Sequence, residues 1–424
     1  MLYGEARATT PMPLPAGFPP IDFARLHRDA LLTPTAAHRH RLAAAAATGL
    51  GSIALRMPDG TAYTYRPHGS GIDITAGDET ADTVLTMDLD SWQGLVHELE
   101  APAGLLYAHR VRCERGNPID LMAWESALRA LYNGRPPYDP AHQTLTDRDG
   151  RQLDPQASFT MASDRDELGH FLHTAGYLFV RDVFQAGELR AFLEEARQLQ
   201  DEARQGDKLS WWGRNAAGAE VLCRVTRGGS KPRLATLPTD ARLLRLKDLA
   251  GESLVHKKGE GDGVTVIYKR PSMTEGLADL PWHRDCGMGG HAVMCPILVV
   301  SVFLTEATPE TGELAMLPGS HRASVNAHDR RCDTAAYAAH CRARPGDVSL
   351  HYSDTVHAAP PPTDAQRERY RISAIVDFAR PAARHHRGES SYNAVLHQRD
   401  DGQIEHLETL AKQNRETPPI TPEE

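Results

Sequence analysis

The sequence predicts an α+β module followed by a larger, mainly-β unit with flanking helices, a pattern typical of a sandwich or a jelly roll. Residues 53–89 alternate apolar and polar positions as strands do, and residues 92–131 then change to helical spacing. The polar, turn-rich stretch 144–158 separates this part from the rest. Further on, runs rich in β-forming residues recur between turn-rich loops, at 264–268, 295–304, 348–352 and 371–378.

Length and composition also favour two units. The chain has 424 residues, more than one domain usually contains, and 41% of them are apolar, which excludes a disordered chain. We place the boundary in the polar stretch. The prediction is a non-catalytic module over residues 1–145 and a second domain over residues 155–424.

Charge and apolar runs exclude several classes of partner. The formal net charge of −9 argues against sequence-independent binding of nucleic acid. The longest apolar stretch, residues 292–304, contains Pro296 and Ser301 and is too short to cross a bilayer. The six cysteines include no C-x-x-C pair, and the N-terminus lacks the apolar core of a signal peptide. These features favour a cytoplasmic protein with mostly free thiols.

The apolar patterns predict the order of strands and helices in both units. Ile53, Leu55 and Met57 alternate up to a Pro-Asp-Gly turn, and Tyr63 and Tyr65 alternate after it, which predicts a hairpin. A further strand at 85–89 precedes helices over residues 92–99 and 121–131. The second unit begins with a short helix after residue 163, a buried strand at 176–180 and an amphipathic helix at 189–199.

The strongest chemical signal is the segment Pro-Trp-His-Arg-Asp that ends at Asp285. On a strand, His283 and Asp285 would project to the same side and could bind one metal ion. A third ligand must come from elsewhere, and His351 and His357 both have a suitable context. Two histidines and one carboxylate on one face of a metal are the ligands of non-haem Fe(II) oxygenases.

Chance offers an alternative reading of this segment. A chain with 21 histidines contains an H-x-D by chance, and most such pairs are surface polar residues or helix caps. Zinc is the competing metal, although no Cys/His pair here has the close spacing of a structural zinc site. A jelly roll without any metal is the third interpretation.

The order of motifs around His283 decides among these alternatives, because the chain from about residue 160 onward resembles the phytanoyl-CoA dioxygenase family of Fe(II)/2-oxoglutarate-dependent oxygenases. The resemblance begins with the segment FLHTAGYLFVRDVF and continues through the H-x-D. It includes the turn from Gly312 to His321, which ends in Pro-Gly-Ser-His. Gly346-Asp347, the distal His357 and an arginine on the next strand, Arg371, complete the series.

The resemblance implies a double-stranded β-helix, or jelly roll, in which His283, Asp285 and His357 bind iron. It selects His357 over His351, and it makes His321 a structural residue of the turn. The implied cofactors are Fe(II), the co-substrate 2-oxoglutarate and O2.

The far carboxylate of 2-oxoglutarate requires a charged partner, and the planar fork of Arg371 provides two parallel hydrogen bonds. Ser373 follows at i+2 and could add a hydroxyl donor. Arg367, Arg369 and Arg380 are the alternatives to Arg371. Lys269, in the segment IYKRP, matches a Lys-Pro segment that some members of the family carry. Its role stays open.

Asp285 also bears on the reaction. Halogenases of this fold lack the carboxylate, so hydroxylation or a related oxidation is expected. The distal histidine is followed by Ala-Ala-Pro-Pro-Pro where many members carry small polar residues and an Asn, which leaves the substrate open.

The segment 207–233 is interpreted as a lid over the pocket or, equally, as a mobile surface loop. Its aromatic side chains would wall off an apolar substrate, and its arginines would hold an acidic group. The candidate substrate residues there are Trp211, Trp212, Arg214 and Arg224.

Residues 43–135 resemble the sterol carrier protein type 2-like fold, which implies an apolar tunnel for a lipid-like substrate or a dimerisation role. A purely structural module is an equally good interpretation. We therefore expect a dioxygenase that hydroxylates a small, lipid-like or natural-product substrate, releasing succinate and CO2. The alternative is a lipid or small-molecule binding protein with a non-catalytic jelly roll. Neither a nucleic-acid partner nor a membrane span is expected, and a homodimer stays open.

Overall fold

The computed structural model describes residues 18–107, 110–140, 143–207, 209–215, 217–258, 261–271, 280–285, 297–325, 334–360, 362–364 and 369–381. The ends of both predicted domains, residues 1–17 and 382–424, therefore lie outside the described residues, as do Cys286, Cys295 and Cys332.

The N-terminal module is built of helices around one mixed sheet, as its patterns predict. Its helices are α1 (Phe23–Arg28), α2 (Ala37–Ala46), α3 (Leu89–Val96), α4 (Pro102–Tyr107), α5 (Asp120–Ala123) and α6 (Glu125–Asn133). Its strands are β1 (Ile53–Arg56), β2 (Ala62–His68), β3 (Gly71–Ala76), β4 (Thr83–Met87) and β5 (Val111–Arg115).

The sheet of this module has the order β3-β2-β1-β4-β5 in the described residues. β1 and β2 form the predicted hairpin, with Ile53 opposite Tyr65, and β4 then pairs with β1 in the parallel direction. α2 packs against α6 and β3. The resemblance to a sterol carrier protein stays a prediction.

Large aromatic side chains fill the centre of the N-terminal module. Trp92, Trp124 and Tyr65 are fully buried there. The ring of His27 stacks on Tyr63, and its Nε2 contacts the hydroxyl of Tyr65. Burial lowers the pKa of His27 to about 4, so the imidazole is neutral at pH 7.

The second unit contains three helices in the described residues, α7 (Arg165–Ala175), α8 (Ala186–Glu202) and α9 (Ala241–Lys247). Its strands are β6 (Phe159–Thr160), β7 (Tyr177–Arg181), β8 (Ser210–Arg214), β9 (Glu220–Val225), β10 (Val255–Lys257), β11 (Thr265–Lys269), β12 (Leu280–His283), β13 (Leu298–Phe303), β14 (Leu314–Met316), β15 (Ala339–Cys341), β16 (Val348–Tyr352), β17 (His357–Ala359) and β18 (Arg371–Ala379).

Two sheets form the second unit. In its described part, the large sheet has the order β6-β7-β16-β13-β18-β11-β9-β8, with β10 also paired to β18, and the small sheet has the order β12-β17-β14-β15. From β11 onward the chain winds between the two sheets: β11, β13, β16 and β18 belong to the large one, and β12, β14, β15 and β17 belong to the small one. Antiparallel strands wound between two sheets in this way form a jelly roll, the fold that the family resemblance implies.

The two faces of β18 have different surroundings. Ile372, Ala374 and Val376 belong to one apolar core with the buried faces of α7 and α8. Since side chains alternate along a strand, Arg371 and Ser373 point to the other side, toward the small sheet. We call this space between the two sheets the interior of the jelly roll.

The N-terminal module and the jelly roll have separate apolar cores, and described residues of the stretch 136–153 pack on the jelly roll. The amide of Tyr138 donates to the carbonyl of Ser324 over 2.8 Å, and its hydroxyl donates to the carbonyl of Pro318 over 2.8 Å. Leu153 belongs to the jelly-roll core, and Leu145 packs against it. The connecting stretch is thus attached to the jelly roll. No helix within the described ranges is both long and apolar enough to cross a bilayer.

Candidate metal centre

The small sheet brings two of the predicted metal ligands together. β12 pairs with β17 in the antiparallel direction, and His283 lies directly opposite His357. Their ring centroids are 4.2 Å apart. Asp285 lies two residues beyond the end of β12, and not on the strand itself as the H-x-D pattern predicts, because pairing ends at His283.

Asp285 faces both imidazoles. Its Oδ1 is 3.6 Å from Nε2 of His283 and 3.8 Å from Nε2 of His357. One ligand atom from each of the three residues lies within 4.8 Å of the other two. The three predicted metal ligands are therefore close enough to hold a single ion.

Protonation in this cluster suits a metal. Burial and the nearby His283 lower the pKa of His357 to about 3, so its ring is neutral. Nδ1 of His357 lies 3.0 Å from the carbonyl of Thr355, and an N–H there donates to that oxygen and leaves Nε2 with a lone pair. Burial raises the pKa of the Asp285 carboxyl, but its contacts with the neighbouring histidines outweigh this effect and hold that pKa well below its usual range.

His351 lies beside the same carboxylate. It is on β16, and its Nε2 is 3.4 Å from Oδ2 of Asp285, the oxygen that does not face the other two histidines. The ring centroids of His351 and His357 are 4.5 Å apart. His351 is therefore a close neighbour of the site, and His357 remains the predicted ligand.

The turn that precedes the distal histidine braces both ligand-bearing segments. The hydroxyl of Ser320 accepts a hydrogen bond from the amide of Val356 over 2.8 Å, next to His357. Arg284 separates His283 from Asp285 in the sequence, and its guanidinium donates to the carbonyl of Ala323 over 2.6 Å. His321 faces the carbonyl of His173 at 3.1 Å. The turn is thus structural, and His321 is not part of the metal cluster.

The predicted anchor for 2-oxoglutarate lies deeper in the interior. Arg371, Ser373 and Lys269 are at most 3% exposed. Lys269 is directly opposite Arg371 on β11, and its Nζ donates to the carbonyl of Ala359 in the small sheet. Both cations therefore point into the interior.

Arg371 fits an anionic ligand. Its Nε and Nη1 are buried and donate to no acceptor among the described residues. Burial lowers its pKa to about 10, so it stays charged at pH 7. A buried guanidinium without a carboxylate partner, directly opposite an ammonium group, is unfavourable unless an anion binds there. The far carboxylate of 2-oxoglutarate meets this requirement.

Part of the segment 207–233 is regular structure, and its interpretation as a lid or as a mobile loop stays a prediction. β8 and β9 form an antiparallel hairpin that extends the large sheet next to β11. The sequence prediction missed this hairpin because its glycines and arginines suggest a loop, whereas Trp212, Leu222 and Val225 pack on the apolar core.

The hairpin separates its four candidate substrate residues. Arg224 is opposite Ile267 of β11, and its guanidinium carbon lies 4.9 Å from the ring centroid of Trp211. Trp212 packs against the apolar core, and Arg214 is exposed beside the turn of the hairpin. The structure therefore brings Trp211 and Arg224 toward the interior but not Trp212 or Arg214.

One interior residue escaped the sequence analysis. Asp377 lies on β18 at the end nearer the metal cluster, and it shares the face of Arg371 and Ser373. The strand alternation that starts at Arg371 is the signal that would have found it.

Comparison with known proteins tests the family resemblance. Residues 172–369 match the phytanoyl-CoA dioxygenase (PhyH) family. These residues form a PhyH family domain. The match includes the three predicted metal ligands and ends two residues before Arg371. The predicted resemblance is therefore confirmed, and with it a 2-oxoglutarate-dependent dioxygenase that uses Fe(II).

Individual relatives of the PhyH domain are distant. A probable alpha-ketoglutarate-dependent hypophosphite dioxygenase of Stutzerimonas stutzeri is 26% identical over 220 residues, which are 46% of this chain and 72% of that protein. AviO1 from Streptomyces viridochromogenes Tue57 is 22% identical over 52% of this chain and 96% of its own, with a TM-score of 0.41. EctD from S. alaskensis, solved with 2-oxoglutarate and 5-hydroxyectoine, is 23% identical over 55% of this chain and 82% of its own, with a TM-score of 0.40.

Proposed function

We propose that this chain hydroxylates a C–H bond of a small molecule, with Fe(II), 2-oxoglutarate and O2. One observation carries the proposal: a His-Asp-His donor set faces the same interior as a buried arginine, Arg371, whose Nε and Nη1 have no acceptor among the described residues. When bound, iron and 2-oxoglutarate supply the oxidation, in which one oxygen atom of O2 enters the substrate and the other enters succinate as CO2 leaves.

The residues of the chain would do three things. His283, His357 and Asp285 would hold the ion on one side and leave positions open for the co-substrate and O2. The carbonyl of Thr355 keeps the ring of His357 in the tautomer that can bind metal. Arg371 would fix the far end of 2-oxoglutarate through two parallel hydrogen bonds.

The carboxylate of Asp285 favours oxygen transfer over halogenation. It lies within 4 Å of both histidine ligands, where a halogenase would need space for a halide. The burial of Arg371, Ser373 and Lys269 keeps water away from the co-substrate. Oxidation without halide transfer is thus the outcome that this site supports.

The test is the conversion of 2-oxoglutarate to succinate by the purified full chain under air. We expect succinate formation that requires added Fe(II), and we expect His283→Ala to abolish it together with iron binding. His38→Ala is the matched control, because His38 is an exposed histidine of α2. Wild-type levels of succinate from His283→Ala would refute the proposed function.

A further inference from the structure

Asp377 is a carboxylate on the wall of the jelly-roll interior. It lies on β18 between Lys257 of β10 and Val299 of β13, each directly opposite in register. His351, the neighbour of Asp285, is opposite Val299 on the next strand. Asp377, Val299 and His351 therefore form one row across the inner face of the large sheet, at the end where the metal ligands lie.

Arg371 and Asp377 mark opposite ends of the same strand face. Six residues of extended chain separate them, which is about 20 Å. The chain leaves the metal at His357, passes along β17 and returns along β18 from Arg371 to Asp377. Arg371 thus faces the deep end of the interior, and Asp377 faces the metal end.

One oxygen of the Asp377 carboxylate lacks a hydrogen-bond partner among the described residues. This oxygen, Oδ1, is buried. Burial and the charge of Asp285 raise the pKa of Asp377, although Lys257 and Arg224 act in the opposite direction. A polar atom in this state costs stability, and such atoms are retained where a ligand provides the missing partner.

The charges of Lys257 and Arg224 act on this carboxylate. Arg224 lies over the ring of Trp211, at 4.9 Å from guanidinium carbon to ring centroid, on the hairpin that extends the same sheet. Lys257 is partly buried and directly opposite Asp377. Arg224 and Trp211 lie across β11 from Ser373, four residues along β18 from Asp377. The inner wall from Asp377 to Ser373 therefore offers one hydrogen-bond acceptor, two cations and one flat apolar surface.

We propose that Asp377 binds a protonated amino group of the substrate while Arg224 and Lys257 bind an acidic group of the same molecule. The substrate is then a small, amino-acid-like zwitterion, held beside the iron with its carbon chain along Trp211. This proposal rests on the proposed function, because it assigns the substrate class of the same site. It also replaces the lipid-like substrate that the resemblance of the N-terminal module suggests.

The experiment uses a panel of α-, β- and ω-amino acids, each paired with the carboxylic acid of the same carbon skeleton that lacks the amino group. The full chain is loaded with Fe(II) and 2-oxoglutarate, and succinate is measured with and without each compound. Mass spectrometry detects the gain of one oxygen atom. We expect at least one amino acid to raise succinate formation and to be oxidised, with its amino-free partner at least tenfold poorer in kcat/KM.

Variants then test Asp377 directly. Asp377→Asn should lower kcat/KM for the responding amino acid at least tenfold, and Asp377→Glu, which keeps the charge, should recover part of the loss. Asp201→Asn, on the exposed surface of α8, is the matched control. Asp377→Asn should leave the melting temperature unchanged or raise it, because a neutral amide is easier to bury. A purely structural carboxylate would lower the melting temperature when replaced.

Two results would overturn the proposal: no amino acid of the panel raises succinate formation, or the amino-free partners respond equally well. Either result leaves the proposed function standing as long as Fe(II)-dependent succinate forms without substrate. Absence of that background together with absence of iron binding would instead refute the proposed function.

Discussion

The core of the N-terminal module and the interior of the jelly roll bury ionisable groups in different ways. In the module, His27 contacts Tyr65, whose hydroxyl lies 2.7 Å from that of Tyr132, and the buried Glu100 pairs with Arg110. In the jelly roll, Arg371 and Asp377 have buried atoms without a partner among the described residues. The buried charges of the module thus pair with one another, whereas Arg371 and Asp377 form no ion pair among the described residues.

The difference shows where the chemistry lies. Folding satisfies buried polar groups wherever stability is the only requirement, and an unsatisfied buried charge points to a ligand. Arg371 lies at the deep end of the jelly-roll interior, and Asp377 lies on the same strand face at the end nearer the metal cluster. The N-terminal module, by contrast, pairs its buried charges: Glu98 with Arg135, Glu100 with Arg110 and Arg129 with Glu125.

The largest expected effect comes from replacing Arg371, the predicted partner of 2-oxoglutarate in the jelly-roll interior. Arg371→Ala should raise the KM for 2-oxoglutarate about a thousandfold, because two charge-assisted hydrogen bonds are lost. Arg371→Lys keeps the charge but not the planar fork and should fall between Arg371→Ala and the wild type. The measurement is initial-rate succinate formation against 2-oxoglutarate concentration. Arg369→Ala is the matched control, since Arg369 is exposed two residues earlier. An unchanged KM in Arg371→Ala would remove this residue from the site.

In the core of the N-terminal module, the buried His27 makes the stability of the fold depend on pH. The pKa of His27 is lowered from 6.5 to about 4, so the unfolded chain binds a proton more readily than the folded one between these values. The stabilising effect of neutral His27 is complete above pH 6.5 and is lost as the pH falls toward 4, by roughly 3 kcal/mol.

Urea unfolding between pH 4 and 7 measures this dependence. His27→Asn should flatten the slope, whereas His38→Asn, which changes an exposed histidine, should keep it. His321, whose pKa is also about 4 in the jelly roll, keeps its own contribution in both variants. Equal slopes in the wild type and His27→Asn would contradict the account of this core.

The sequence predicts the metal ligands and the arginine for 2-oxoglutarate, but not the part of the inner wall formed by the hairpin and Asp377. His283, Asp285 and His357 belong to short motifs with fixed order, and Arg371 follows them on the next strand. The hairpin at 210–225 and the row of Asp377 depend on pairing between strands that are distant in the chain. Such pairing is set by tertiary packing, which local patterns do not record.

The most direct test of the central claim is anaerobic Fe(II) binding, measured as metal per chain after equilibrium dialysis. We expect one Fe(II) per chain in the wild type and in His351→Ala, and none in His357→Ala. The two variants remove neighbouring histidines of the same small region, so general damage to the fold would affect both. Iron retained by His357→Ala and lost from His351→Ala would contradict the assigned metal centre.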